Sequence, residues 1–277
     1  MRKRLEIACL HVLRDESRDA DDAFASDVNG DAGLRQTRSD CREHVRFRGS
    51  TMKTLLDPST LHSMLGPGFS VAIARPDLRT GEMFPEEERY IAGAVVKRRA
   101  EFATARVCAR RALARIGVAP CPLVPNVDRS PFWPPGIKGS ITHATDCCAV
   151  AVTDEPSTLA VGIDVERDAP LDVGLEALIC VDEERTWLAS AHDRGSLLRL
   201  IFSAKEAFYK CQYTTTRKWL DFLGVQLSID LAGGTFSVVN VLDHQRDWAF
   251  TRSIRGEFRR CDGLIVTTAV HKALDRN

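Results

Sequence analysis

The sequence predicts a chain of long helices and antiparallel strand pairs, and three observations carry that prediction. From Arg98 the apolar residues Phe102, Ala105, Ala109, Ala112, Leu113 and Ile116 gather on one helical face. In SLLRLIFSAKEAFYKCQY (196–213), Leu197, Leu200, Ile201, Ala204, Ala207 and Phe208 do the same. VQLSIDLAGGTFSVVNV (225–241) and EFRRCDGLIVTTAVH (257–271) each hold a strand, a Gly-bearing turn and a strand. No Walker or Rossmann glycine pattern and no short-period repeat is present.

The elements follow in order. Of the first 51 residues, 20 are Asp, Glu, Lys or Arg, in clusters such as RDESRDADDAF, with little apolar periodicity. Such a segment buries too little surface to offset its ordering entropy, so residues 1–51 are expected to be a disordered extension. Met52 and the KTLLDPSTLHSML after it are expected to open the folded part. PCPLVPNVDRSPFWPPGIKG (120–139) is too rich in Pro and Gly for regular structure and reads as a rigid loop. CCAVAV (147–152) and TLAVGIDV (158–165) read as strands that pair as a hairpin across TDEPS. VDEERTWLAS (181–190) reads as a helix.

Lys plus Arg and Asp plus Glu balance at 38 each, which gives no global argument for nucleic acid or an anionic membrane. The nine cysteines are odd in number and scattered, without a C-x-x-C pair, which argues against a zinc site and a disulfide framework. A cytoplasmic protein is the expectation. No apolar run reaches the roughly 18 residues of a membrane span.

Chemistry concentrates in three places. In VGIDVERD (161–168), strand alternation sends Val161, Ile163 and Val165 one way and Gly162, Asp164 and Glu166 the other. Two carboxylates on one face repel unless a proton or cation intervenes, so a metal is the first hypothesis. Magnesium takes oxygen ligands together with substrate phosphates, and Glu206 from FSAKEAFYK would complete the set. The bland alternatives are a hydrated strand edge for Asp164 and Glu166 and a surface ion pair for Glu206 and Lys210, one helical turn apart. His143 in GSITH is, taken alone, an ordinary hydrogen bonder. Arg99, Arg106 and Arg110 form a basic stripe that suits a solvated edge as well as an anion site.

Order and wording add what spacing does not. EFATARVCARRAL (101–113), FWPPGIKGSITH (132–143), GIDVE (162–166), FSAKEAFYK (202–210) and the following WLDFLGVQL (219–227) together resemble the 4′-phosphopantetheinyl transferases of the large type. That type includes the surfactin synthetase activator and enterobactin synthase component D, and the Trp-Pro form of the loop points to the latter branch. The resemblance spans roughly residues 52–275. One departure is Ala105, where the family often has glycine before the arginine.

The resemblance implies an α+β fold made of a pseudo-twofold pair of similar subdomains, each a small antiparallel sheet on a long helix, here 52–157 and 158–277. It implies transfer of the 4′-phosphopantetheine arm of coenzyme A to a serine of an apo carrier protein, in siderophore or other nonribosomal peptide or polyketide synthesis. Asp164, Glu166 and Glu206 are then the magnesium ligands. Arg106, Arg129, Thr142 and His143 contact the nucleotide end of coenzyme A, Lys210 the diphosphate, and Glu206 is the candidate base. A monomer is expected. The alternatives are a non-catalytic coenzyme A or carrier-protein binder of the same fold, and a magnesium-dependent phosphodiesterase or nuclease. The latter requires a basic groove that a net charge of zero and a short basic stripe do not suggest.

Overall fold

The computed structural model describes residues 56–76, 83–144, 146–242 and 248–273. These all belong to one compact unit, Lys53–Asn277, and the expected extension over 1–51 lies outside the described residues. The chain opens with helix α1 (Pro58–Leu65), where Pro58 stands in the first turn and the Asp57 carboxylate accepts from the Ser59 amide at 2.9 Å. Strand β1 (Ser70–Ala74) and helices α2 (Pro85–Ile91) and α3 (Val96–Arg115) follow. An irregular stretch then leads to β2 (Lys138–Ala144) and β3 (Cys147–Thr153).

The second half begins with β4 (Thr158–Arg167), followed by helices α4 (Glu176–Ile179), α5 (Asp182–Ala189) and α6 (Arg194–Thr216). It ends in two hairpins, β5 (Val225–Asp230) with β6 (Thr235–Val241), and β7 (Ile254–Cys261) with β8 (Leu264–Lys272). The turn of the last is Asp262-Gly263, with φ of 53° and 73°, the left-handed pair that suits the twist of a tight hairpin.

All pairing is antiparallel, in a three-stranded sheet β1-β3-β2 and a five-stranded sheet β4-β8-β7-β6-β5. The expected hairpin of CCAVAV with TLAVGIDV is therefore incorrect. β3 is the wholly buried central strand of the first sheet, with both edges taken by β1 and β2, so β4 crosses over to pair with β8. The edge of β2 instead lies alongside β4, and that seam joins the two halves.

Each sheet carries its long helix on one face. Cys108, Ala109, Ala112 and Leu113 of α3 pack on Ala72, Val150 and Val152, while Leu200, Ala204, Ala207 and Phe208 of α6 pack on Ile265, Ala269 and Phe258. The opposite faces of both sheets share a further core under α1, where Leu61, Met64 and Leu65 meet Ala149 and Ala151 of one sheet and Ile163, Val165 and Val266 of the other. One apolar layer thus belongs to both halves.

The closest approach lies at Gly162. A Cβ there would come within 1.9 Å of the Ala207 carbonyl oxygen and 2.7 Å of the Cys211 nitrogen, so β4 and α6 touch backbone to backbone. This is the physical reason for glycine ahead of the two carboxylates. Gly162→Ala must push α6 off the sheet. It is expected to cost about 3 kcal/mol, as overpacking does, and to lower Tm by about 6–12 °C for a unit of this size. Thermal unfolding followed by circular dichroism checks it; an unchanged Tm would mean that the helix and strand are not in contact.

Candidate active site

The contact at Gly162 aligns α6 along β4, and the next two residues on the same strand face meet successive turns of the helix. Asp164, 1% exposed, takes the Ser203 hydroxyl on Oδ2 at 2.9 Å and the Lys210 ammonium on Oδ1 at 2.6 Å. Lys210 also donates to the Ile163 carbonyl at 3.0 Å. Glu166 meets the Arg199 guanidinium at 3.2 Å, and Arg199 in turn donates to the Ala169 carbonyl. Burial lowers the pKa of Arg199 while the Glu166 and Asp164 carboxylates oppose that shift. Glu206 is buried on α6, three residues after Ser203 and four before Lys210, hence on the helix face that both use to reach Asp164.

The first half reaches the same carboxylate across the seam. The Thr142 hydroxyl donates to Asp164 Oδ1 at 3.0 Å and lies 3.3 Å from the Val165 amide, whose hydrogen it accepts, and Ser140 Oγ accepts from the Ile163 amide at 3.0 Å. Thr142, expected on the nucleotide, is buried with its hydroxyl engaged by β4. Its neighbour His143 points toward α3, where Nε2 lies 3.4 Å from a carboxylate oxygen of Glu101.

The arginines divide differently from the basic stripe of the sequence. Arg106 is 6% exposed; it donates to the Leu123 carbonyl at 2.6 Å and stacks over the Phe102 ring at 4.0 Å. Burial pulls its guanidinium down to about 10 even though Glu87 opposes the shift. Arg110 pairs with Glu87 at 2.7 Å, and Arg99 donates to the Ala92 carbonyl at 3.2 Å. All three fasten the first half internally. Arg129 is exposed in the loop, at a φ of 66°. That loop docks on the end of α6, where Tyr213 donates to Asp128 at 2.8 Å and Arg217 donates to Ser130 at 3.2 Å.

Two buried carboxylates that sequence reasoning assigned no role organise the scaffold in parallel. Glu87, in the first turn of α2, accepts from the Phe84 amide, from the Leu123 amide and from Arg110 of α3. Glu184, in the first turn of α5, accepts from the Val181 amide, from the Leu227 amide and from Lys205 of α6. The two locks match partner by partner, one in each half. Lys205 places all three ammonium protons, on Glu184 at 2.6 Å and on the Ile179 and Phe222 carbonyls at 2.8 Å. It is thereby a structural member of the FSAKEAFYK motif. The available signal was the glutamate three residues after each helix entry in FPEEER and VDEER.

As donors, Asp164, Glu166 and Glu206 offer only oxygen, which suits a hard divalent cation. As an arrangement, no three His, Cys, Asp or Glu side chains among the described residues are grouped to hold a metal ion. Asp164 and Glu166 are instead matched with Lys210 and Arg199. The donor chemistry fits magnesium, and an incoming ion would compete with Lys210 for Asp164.

Comparison with known proteins agrees with this architecture. A family model described as the 4′-phosphopantetheinyl transferase N-terminal domain matches residues 86–153. One described as the 4′-phosphopantetheinyl transferase superfamily matches residues 160–269. The chain is similar to 4′-phosphopantetheinyl transferase Svp of Streptomyces mobaraensis, 42% identical over 165 residues, covering 58% of this chain and 67% of that protein. It is 35% identical to 4′-phosphopantetheinyl transferase Npt of Nocardia iowensis over 196 residues, 68% of this chain and 88% of the other. It is 36% identical to enterobactin synthase component D of Salmonella typhi over 117 residues, 41% and 48% of the two chains.

Proposed function

The chain belongs to the 4′-phosphopantetheinyl transferase family, and from that premise we propose how its residues divide the work. It transfers the 4′-phosphopantetheine arm of coenzyme A to carrier proteins. The observation that carries the residue assignment is the buried Asp164 carboxylate, met by Thr142 from one half and by Ser203 and Lys210 from the other.

Asp164, Glu166 and Glu206 would hold a magnesium ion, whose charge would offset that of the coenzyme diphosphate. Lys210, freed from Asp164 as the ligand enters, turns its ammonium to the diphosphate and stabilises the charge that develops there. Glu206, directly or through a water, takes the proton of the carrier serine. The serine oxygen bonds to the phosphorus bearing pantetheine, the bond from that phosphorus to the oxygen of the second phosphate breaks, and adenosine 3′,5′-bisphosphate leaves. His143 and Arg129 bind the nucleotide end. Arg106 and Thr142 support it from inside, Arg106 by fixing the loop at Leu123 and Thr142 by holding Asp164.

We place the carrier in siderophore or other nonribosomal peptide or polyketide synthesis, a reading supported by the similarity to enterobactin synthase component D. A cytoplasmic monomer of two subdomains, 52–157 and 158–277, fits the reading. Among the described residues no helix is long and apolar enough to cross a membrane.

Intact-mass analysis of an apo peptidyl or aryl carrier protein, incubated with the enzyme and coenzyme A, tests the proposal. A gain of one phosphopantetheine that disappears with a chelator and returns with magnesium is expected. Full transfer in the presence of chelator would remove the metal from the reading, and no transfer to any carrier would remove the residue assignments with it.

A further inference from the structure

We propose that Glu101 is a positioning residue for the coenzyme, gathering His143 of β2 and Arg98 of α3 into one cationic edge that takes the 3′-phosphate of coenzyme A. The inference rests on the reading above that places His143 at the nucleotide end. Its geometry is a single carboxylate oxygen shared between two cationic groups. Glu101 Oε2 lies 3.4 Å from His143 Nε2 and 3.5 Å from Arg98 Nη1.

Exposure orders the three side chains. Glu101 is 12% exposed, His143 22% and Arg98 52%, so the carboxylate sits at the base and the two cationic groups lie outward of it. The imidazole and the guanidinium are thus more open to an approaching anion than the carboxylate is. Without Glu101, a charged His143 and Arg98 held side by side would repel each other. With it, one carboxylate lies between the guanidinium and the imidazole, and Lys97 on the preceding residue of α3 adds a further positive charge.

Burial works against ionisation of Glu101, but hydrogen bonding and charge from His143, together with Arg98 and Lys97, outweigh it and hold the carboxyl at about 2. The group is therefore an anion throughout the neutral range. Arg98 belongs to α3 and His143 to β2, so the shared carboxylate also fixes the distance between a helix and a strand that face the same ligand. Glu101 opens the EFATARVCARRAL segment, where sequence alone gave it no task.

The test compares coenzyme A with 3′-dephospho-coenzyme A as donor substrates in steady-state transfer, for the wild type, Glu101→Gln, His143→Ala and the double variant. Glu101→Gln is expected to raise KM for coenzyme A about fivefold, the scale of a lost charge-assisted contact, with the loss in KM and not in kcat. The KM for the dephospho donor should not change. The double variant should lose less than the two single losses combined, because Glu101 and His143 share one contact while that of Glu101 to Arg98 is separate. An unchanged or increased preference for coenzyme A in Glu101→Gln would overturn the proposal, since a carboxylate that merely repels phosphate gives that sign. Should His143→Ala itself keep the full preference, the placement of His143 at the nucleotide fails and the proposal falls with it. If His143→Ala loses the preference while Glu101→Gln keeps it, only the role of Glu101 is refuted.

Discussion

Glu206→Gln is expected to lower turnover about a thousandfold, the middle of the range for a lost general base, while the protein stays folded. The glutamine keeps the size and the hydrogen-bonding capacity of the side chain but cannot take the serine proton. Stability should hold or rise slightly, because one of three carboxylates on facing elements becomes neutral. Single-turnover transfer measured by mass, beside a thermal melt, separates the two effects. Near-normal turnover would move the base to another group. Lost turnover together with a collapsed melt would show that Glu206 is needed by the fold and leave the chemistry unassigned.

The second large effect is on stability, at a residue of the same motif. Lys205→Met removes the cation from a buried pair and leaves Glu184 charged in the interior with two backbone amides. Breaking such a pair by removing one partner costs about 3–5 kcal/mol, largely through the stranded charge. Removing both charges, in Glu184→Gln with Lys205→Met, should restore a substantial part of that loss. Urea unfolding of the two variants checks this. A single variant as stable as the wild type would mean that the pair is not buried in solution. The prediction separates neighbours that sequence presents together: Lys205 for the scaffold, Glu206 for the reaction.

Elements and local faces were legible because their causes are local. The two long helices, the two C-terminal hairpins and the common face of Asp164 and Glu166 follow from periods of 3.6 and 2. So does the nearness of Glu206 to Lys210. β1 escaped because SVAIA is five residues long, too short for periodicity to separate strand from helix. The β3–β4 hairpin was misread because a short turn between two apolar strands looks the same whether they pair or part into different sheets. The partners of the site lie beyond any local window. Thr142 is 22 residues from Asp164 and Ser203 is 39. Periodicity puts Arg106 beside the apolar face, where it suits a solvated edge as well as an anion site, and nothing in the sequence says that the loop at Leu123 covers it.

The seam between the halves is held unequally on its two sides. Under α1 it is closed by a shared apolar layer; on the side of Asp164 it is closed by hydrogen bonds, those of Ser140 and Thr142 to β4 and those of Asp128 and Ser130 to the end of α6. Water can replace a hydroxyl-to-amide bond at little net cost, but it cannot replace apolar contacts. Within each half, the Glu87 or Glu184 lock ties helices and loop into a stiff block. The molecule is therefore built like a book, with its spine along the apolar layer and its fore-edge at Asp164. The fore-edge, where the coenzyme is proposed to enter, is the side that water can wet without the loss of apolar contact.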